Sequence, residues 1–312
     1  MIELVLQHAV NALALSAIYA LVAIGISLFF GVMGIVNLAH GDIATIGVFV
    51  SLAAFQFLLG AGAVDITAVG FAVALGNIGA LLLGIVGAAA GGLLFYRIAF
   101  YPLRNAPPII GLLCSVGVGF MIRESILNFY PDGRNPQPFP AIIPADLIEI
   151  GGVIIQYKHI VVVSVALLAV LALAYCVERT KFGRAMRSVL NNRDVARSLG
   201  VSAQRLTVIV FTLGSALAGL AGLMNGLYYN LVQSDMGVLL TVKGFTAAVI
   251  GGLGNIYGAL LGALLVGFIE ALTAGFLPAG SAYKDIAVFG VLIIILIVRP
   301  YGLIGRPATE RV

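Results

Sequence analysis

The sequence predicts an all-α integral membrane protein, a polytopic bundle of about eight to nine transmembrane helices, some of them broken. Three observations carry this. First, 61% of the 312 residues are hydrophobic and only 10% are charged, against about 25% charged in a soluble domain. So few charges cannot clothe a water-facing surface, and lipid must cover most of the chain. Second, apolar runs of membrane-spanning length recur from end to end. Third, glycine is abundant, at 39 residues, and much of it is spaced for close helix contact in a bilayer.

The runs fall at 9–30, 43–60, 67–96, 107–127, 159–177, 206–229, 241–276 and 285–298. A spanning helix needs roughly 20 apolar residues. As one helix the run 241–276 would measure ~54 Å, too long for a ~30 Å hydrocarbon core. Gly251-Gly252-Leu253-Gly254-Asn255 near its middle marks a break, so two pieces are expected there. Gly76-Asn77 raises the same question in the run 67–96, although tilt absorbs part of that excess. Stripes of small residues four apart, namely Gly111, Ser115 and Gly119, then Ala218, Gly222 and Gly226, then Gly258 and Gly262, point to tightly packed helices.

Charge placement sets the orientation. Twelve of the 17 Lys and Arg residues lie in three segments: Arg97 and Arg104; the stretch from Arg179 to Arg205; and Arg299, Arg306 and Arg311. These segments are assigned to the cytoplasm. The loop 128–158, neutral to acidic with five prolines, is assigned outside. The amino terminus is then outside, and a cytoplasmic carboxyl terminus requires 241–276 to cross twice. The net charge of +4 reflects this topology and not a nucleic-acid surface. Cys114 and Cys176 sit in separate apolar runs and read as small hydrophobes. The whole chain, 1–312, reads as a single transmembrane domain.

The long polar stretch 178–205 is patterned. Ala185, Met186, Val189 and Leu190 make one amphipathic stripe, and Val195, Ala196 and Leu199 a second. Gly200 is placed to end the second helix in a left-handed conformation. Ser202 is placed to cap the next helix, with Val201 and Leu206 as a staple. The result is a helix-turn-helix shelf with a basic rim. A basic loop resting on anionic headgroups would need the charge but no defined turn.

Four stretches resemble one family. Gly183-Arg184-Ala185-x-Arg187, followed by Asp194-Val-Ala-Arg-Ser-Leu-Gly200-Val-Ser, resembles the cytoplasmic coupling loop of bacterial ABC-importer permeases, most closely the branched-chain amino-acid (Liv-type) family, which also includes urea permeases. Phe30-Gly-Val-Met-Gly-Ile-Val-Asn-Leu-Ala-His-Gly-Asp42 is similar to the family signature after the first helix. Tyr101-Pro-Leu-Arg104 with Pro107 is similar to its third-to-fourth connection, and Gly251-Gly-Leu-Gly-Asn-Ile-Tyr-Gly-Ala259 to its broken-helix turn. The Glu-Ala-Ala of many importer permeases is absent; Asp194-Val195-Ala196 stands nearby.

The resemblance implies a bacterial inner-membrane permease domain. It implies a second permease subunit as partner, two ATP-binding-cassette ATPase subunits beneath, and an extracytoplasmic solute-binding protein that delivers substrate. ATP would be bound by the partners, and no cofactor by this chain, which lacks any Gly-x-x-x-x-Gly-Lys-Ser/Thr loop. Gly183, Arg184, Arg187, Arg193, Asp194, Ala196, Arg197, Leu199 and Gly200 are the candidate ATPase-coupling residues. The expected cargo is leucine, isoleucine and valine, with urea or short amides as the alternative.

Polar residues at membrane depth should face protein or water. Asn37, His40, Asp42, Asn77, Asn225, Asn255 and Glu270 are candidates for pathway or structural roles. His40 with Asp42 supplies two potential metal ligands and no third. Arg123 and Glu124 read as interfacial anchors. No nucleophile stands with a base, so no enzymatic site is expected. An ion-coupled secondary transporter would use Glu270 or Asp42 with the broken helix, and has no need of a patterned shelf.

Overall fold

The computed structural model describes residues 2–60, 71–104, 106–191 and 193–305. Eleven helices dominate these residues: α1 (Ile2–Met33), α2 (His40–Gly60), α3 (Phe71–Phe95), α4 (Pro108–Phe129), α5 (Tyr157–Arg179), α6 (Lys181–Asn191), α7 (Arg193–Ser198), α8 (Ala203–Tyr229), α9 (Met236–Gly251), α10 (Ile256–Phe276) and α11 (Gly280–Val298). All but α6, α7 and α9 are long and apolar enough to cross a membrane. At 16 residues, α9 spans ~24 Å, short of a full hydrocarbon core. The expected polytopic all-α bundle is the observed one.

Helix α1 is the axis. Every residue from Ile18 to Phe29 is buried, as fits a helix apolar on all sides, and α1 packs against α5, α8, α9 and α10. By contrast α11 is peripheral, with only Gly280 and Val288 buried. Helix α3 runs unbroken through Gly76-Asn77 and ends in a π-helical turn, Tyr96–Phe100. Phe211 on α8 gathers Phe29, Tyr96 and Phe100 at ring-centroid distances of 4.6, 4.9 and 5.3 Å.

Two short hairpin-like ladders close one end. Strands β2 (Leu147–Ile150) and β3 (Val153–Gln156) pair antiparallel, and β1 (Gln137–Pro138) pairs antiparallel with β4 (Leu231–Val232) just past α8. Gln7 on the first turns of α1 exchanges two 2.9 Å bonds with the Ile154 backbone. The start of α1 and the 128–158 loop therefore share one side of the bundle, as the charge distribution requires. A Cβ at Gly254, just past α9, would lie 3.7 Å from Gly31 near the end of α1, and Leu303, just past α11, bonds to the end of α9, so α11 ends on the side opposite the start of α1.

The break in the 241–276 run is where the glycines place it. Gly252 (φ 110°) and Gly254 (φ 84°) turn the chain between α9 and α10 in conformations that exclude most side chains. The open carbonyls at the end of α9 find donors elsewhere: the Leu303 and Ile304 N–H groups bond to Ile250 and Gly251 at 2.8 and 3.0 Å. Asn255 starts α10, its Oδ1 accepting from the Tyr257 and Gly258 N–H groups at 3.0 and 3.2 Å. Asn255 is thus the N-cap of α10. Cys114 and Cys176 are half-buried and form no disulfide.

Candidate functional site

The shelf between α5 and α8 has the stop and start signals its sequence carries. Gly200 adopts φ 82°, and the Gly200 and Val201 N–H groups bond back to Arg197 and Ala196 at 3.1 and 2.9 Å. Ser202 Oγ caps α8 by accepting from the Arg205 N–H at 3.3 Å. Gly183 sits so tightly under the end of α5 that a Cβ there would collide with the Val177 carbonyl. Arg187 donates to that same carbonyl at 2.7 Å. The shelf is thereby fixed to the end of α5 through both groups.

Its two apolar stripes are unevenly covered. Met186, Val189 and Ala196 are buried, whereas Leu190, Val195 and Leu199 are 40%, 52% and 75% exposed. The two helices are short and touch the bundle along one edge only, so Leu190 of the first stripe and Val195 and Leu199 of the second point away from it. Arg184, Arg187 and Arg197 are exposed around these side chains. The side chains of Arg193 and Asp194 lie outside the described residues, as do Asn192, Arg306 and Arg311.

The second polar feature is the break between α1 and α2. Gly34 turns the chain at φ 68°, and 34–39 runs without regular structure. The α4 stripe seats this segment: a Cβ at Gly111 would meet Ile35, Ser115 Oγ accepts from the Leu38 N–H at 3.1 Å, and a Cβ at Gly119 would collide with the Asp42 carboxylate. These small residues make room for irregular backbone, a use that the helix-packing expectation did not include. Asn37 Oδ1 accepts from the Ala39 N–H at 3.1 Å, and Thr241 Oγ1 on α9 from the Gly41 N–H at 2.8 Å.

His40 is fully buried, edge-on to Phe29 at 5.2 Å, and fills the space a Cβ on Gly25 would need. Neither of its ring nitrogens has a hydrogen-bond partner among the described residues. Asp42 pairs with Arg123 at 3.2 Å, so Arg123 is a counter-ion within the bundle and not only an interfacial anchor. No group of three or more metal-ligating side chains occurs among the described residues. Asn77 and Asn225 lie half-buried on α3 and α8.

Glu270 also has partners that were not anticipated. Lys243 Nζ on α9 lies 2.6 Å from its Oε1, and Lys284 Nζ on α11 lies 3.0 Å from the same oxygen. Tyr19 on α1 donates to Oε2 at 2.7 Å. Asp285 completes the group at 3.3 Å from Lys243. Two lysines face two carboxylates, which balances the buried charge. The available signal was that Lys243 and Glu270 are the only charged residues in the run 241–276.

A cavity of about 600 Å³ opens beside the shelf, between the ends of α1 and α3 and the starts of α4 and α8, with Arg104 and Arg197 in its lining.

The family described as "Branched-chain amino acid transport system / permease component" matches residues 8–296. The chain belongs to this family. Among its relatives, the high-affinity branched-chain amino acid transport system permease protein BraD of Pseudomonas aeruginosa is 32% identical, covering 98% of each chain. The corresponding LivH proteins of Salmonella typhimurium and Escherichia coli are 33% and 32% identical, each match covering 98% of this chain and 97% of the relative. As a family member the chain is the permease component of a transport system, a multi-pass inner-membrane protein and not the system's ATPase. In this family the break between α1 and α2 and the shelf after α5 belong to a membrane-embedded transport subunit.

Proposed function

We propose that this permease takes up branched-chain amino acids by an ATP-driven route, and that the shelf formed by α6 and α7 is its contact with an ATP-binding-cassette subunit. The observation that supports this most is the exposed trio Leu190, Val195 and Leu199 on a basic shelf. Large apolar side chains on a polar face mark an interaction surface. The close packing of Gly183 and the hydrogen bond of Arg187 at the end of α5 make the shelf stiff enough to pass movement into the bundle. Two such permease subunits form the pathway in this reading, and a solute-binding protein supplies cargo from the other side.

Leucine, isoleucine and valine as cargo are supported by the cargo in the names of BraD and LivH. An ion-coupled mechanism is less well supported, because both buried carboxylates it would use already have cationic partners, Asp42 with Arg123 and Glu270 with Lys243. Asn37, His40 and Asp42 then hold the chain break beside α4, where it borders the route of the cargo.

The test is co-purification and uptake. With Val195→Asp and Leu199→Asp together, the protein is expected to insert normally, to lose its ATPase subunit on purification, and to stop taking up labelled leucine. Wild-type retention of the ATPase by this variant would remove the shelf from the contact. A wild-type assembly that takes up urea but no branched-chain amino acid would change the cargo and leave the coupling reading intact.

A further inference from the structure

The cavity beside the shelf has a chemistry that neither cargo passage nor ATPase contact requires. Its cationic lining comes from two separate elements: Arg104 from the turn before α4, and Arg197 from α7. Ser202, Gln204 and Thr207 at the start of α8 add hydrogen-bonding groups. Met33, Ile35 and Phe100 supply an apolar floor. Among the described residues, no carboxylate lines it.

Each feature narrows the occupant. Two guanidinium groups with hydroxyl and amide donors suit a phosphate, which guanidinium recognises through paired hydrogen bonds. The first turn of α8 adds N–H groups with no acceptor inside the helix. A zwitterion is disfavoured, since nothing anionic among the described residues lines the cavity to balance an ammonium group. The floor accepts hydrocarbon, and the elements that border the cavity carry apolar side chains on their outer surface: Ile98 is 67% exposed, Ile109 60% and Leu113 61%. Basic pockets between membrane helices on the cytoplasmic side are where anionic headgroups bind.

Arg104 is held in position. Its guanidinium stacks 4.4 Å over the Tyr101 ring.

We propose that this cavity binds the phosphate of an anionic phospholipid, with Arg104 and Arg197 as its ligands and the acyl chains lying along α4. One headgroup would then bridge the α3–α4 turn and the shelf, making the position of α7 depend on lipid composition. The proposal concerns lipid and holds whether or not the shelf is the ATPase contact.

The test uses the full chain in phosphatidylcholine micelles, titrated with phosphatidylglycerol and read by native mass spectrometry and thermal unfolding. Wild type is expected to retain one tightly held phosphatidylglycerol and to melt higher with it. Arg104→Gln with Arg197→Gln should weaken that binding by about fivefold for each arginine removed, while Arg299→Gln retains it. Wild-type affinity in the double variant overturns the proposal. If the double variant does not fold, the single variants replace it, and wild-type affinity in both has the same meaning. Inorganic phosphate that protects as well as the lipid would keep the two arginines as anion ligands and overturn the lipid as their source.

Discussion

Lys243 on α9 and Glu270 on α10 meet at 2.6 Å inside the bundle, joining the two halves of the broken hairpin across their own interface. Neither group is tolerable alone at this depth, so the pair is a constraint on how the two halves may move apart. Lys243→Met or Glu270→Gln alone unbalances the four-charge group that also holds Lys284 and Asp285, with an expected cost of about 3 kcal/mol. The double variant is expected to recover most of that loss, because the uncompensated charge disappears with its partner. Thermal unfolding of the four proteins in detergent measures the coupling; additive single effects would show that Lys284 and Asp285 have taken over the pairing.

Two glycines on α4 separate the demands of space from those of backbone. A Cβ at Gly119 would collide with the Asp42 carboxylate, whereas one at Gly117 meets nothing within 4 Å. Gly119→Ala should therefore destabilise by about 1–3 kcal/mol through overpacking, and Gly117→Ala should stabilise by up to about 1 kcal/mol through helix propensity. Melting temperatures of the two variants, compared side by side, check the sign of each.

The shelf offers a similar contrast. Gly183→Ala places a methyl group against the Val177 carbonyl and must displace α6 from α5. Uptake should fall by more than tenfold at unchanged expression. Gly200 has open space around it but a φ of 82°, so Gly200→Ala costs only about 1 kcal/mol of backbone strain. Uptake should fall modestly in that variant. Labelled-leucine transport normalised to the amount of inserted protein distinguishes the two outcomes.

Tyr101 should ionise at lower pH than an ordinary tyrosine, chiefly because Arg104 donates a hydrogen bond to its oxygen and favours the anion. The sign follows from a folded-state value below the unfolded one. The interaction is at full strength above the ordinary tyrosine range and is lost as pH falls through the lowered value. NMR of ring-labelled tyrosine should show Tyr101 titrating first, and Arg104→Gln should return it towards the ordinary value.

Local signals were read well from sequence. The break at 251–255, the left-handed stop at Gly200 and the Ser202 cap each depend on residues within a few positions of one another, and each is present. What escaped depends on distance along the chain. Nothing near Glu270 in sequence reveals Lys243 or Tyr19, and nothing near Asp42 reveals Arg123, because helix packing alone brings them together. Burial on the shelf is not legible in sequence for another reason. Periodicity identifies an apolar stripe, but how much of it is covered depends on what it rests against. Leu199 is 75% exposed, resting against nothing among the described residues that hides it.

The bonds from Leu303 and Ile304 to the last carbonyls of α9 have a consequence for biosynthesis. The ribosome makes Ile250 and Gly251 two membrane passes before it makes the donors that seal them. Throughout that interval the nascent helix has a raw end. A chain halted at the close of α11 would hold every membrane pass and still display that unfinished edge to the proteases that survey new membrane proteins.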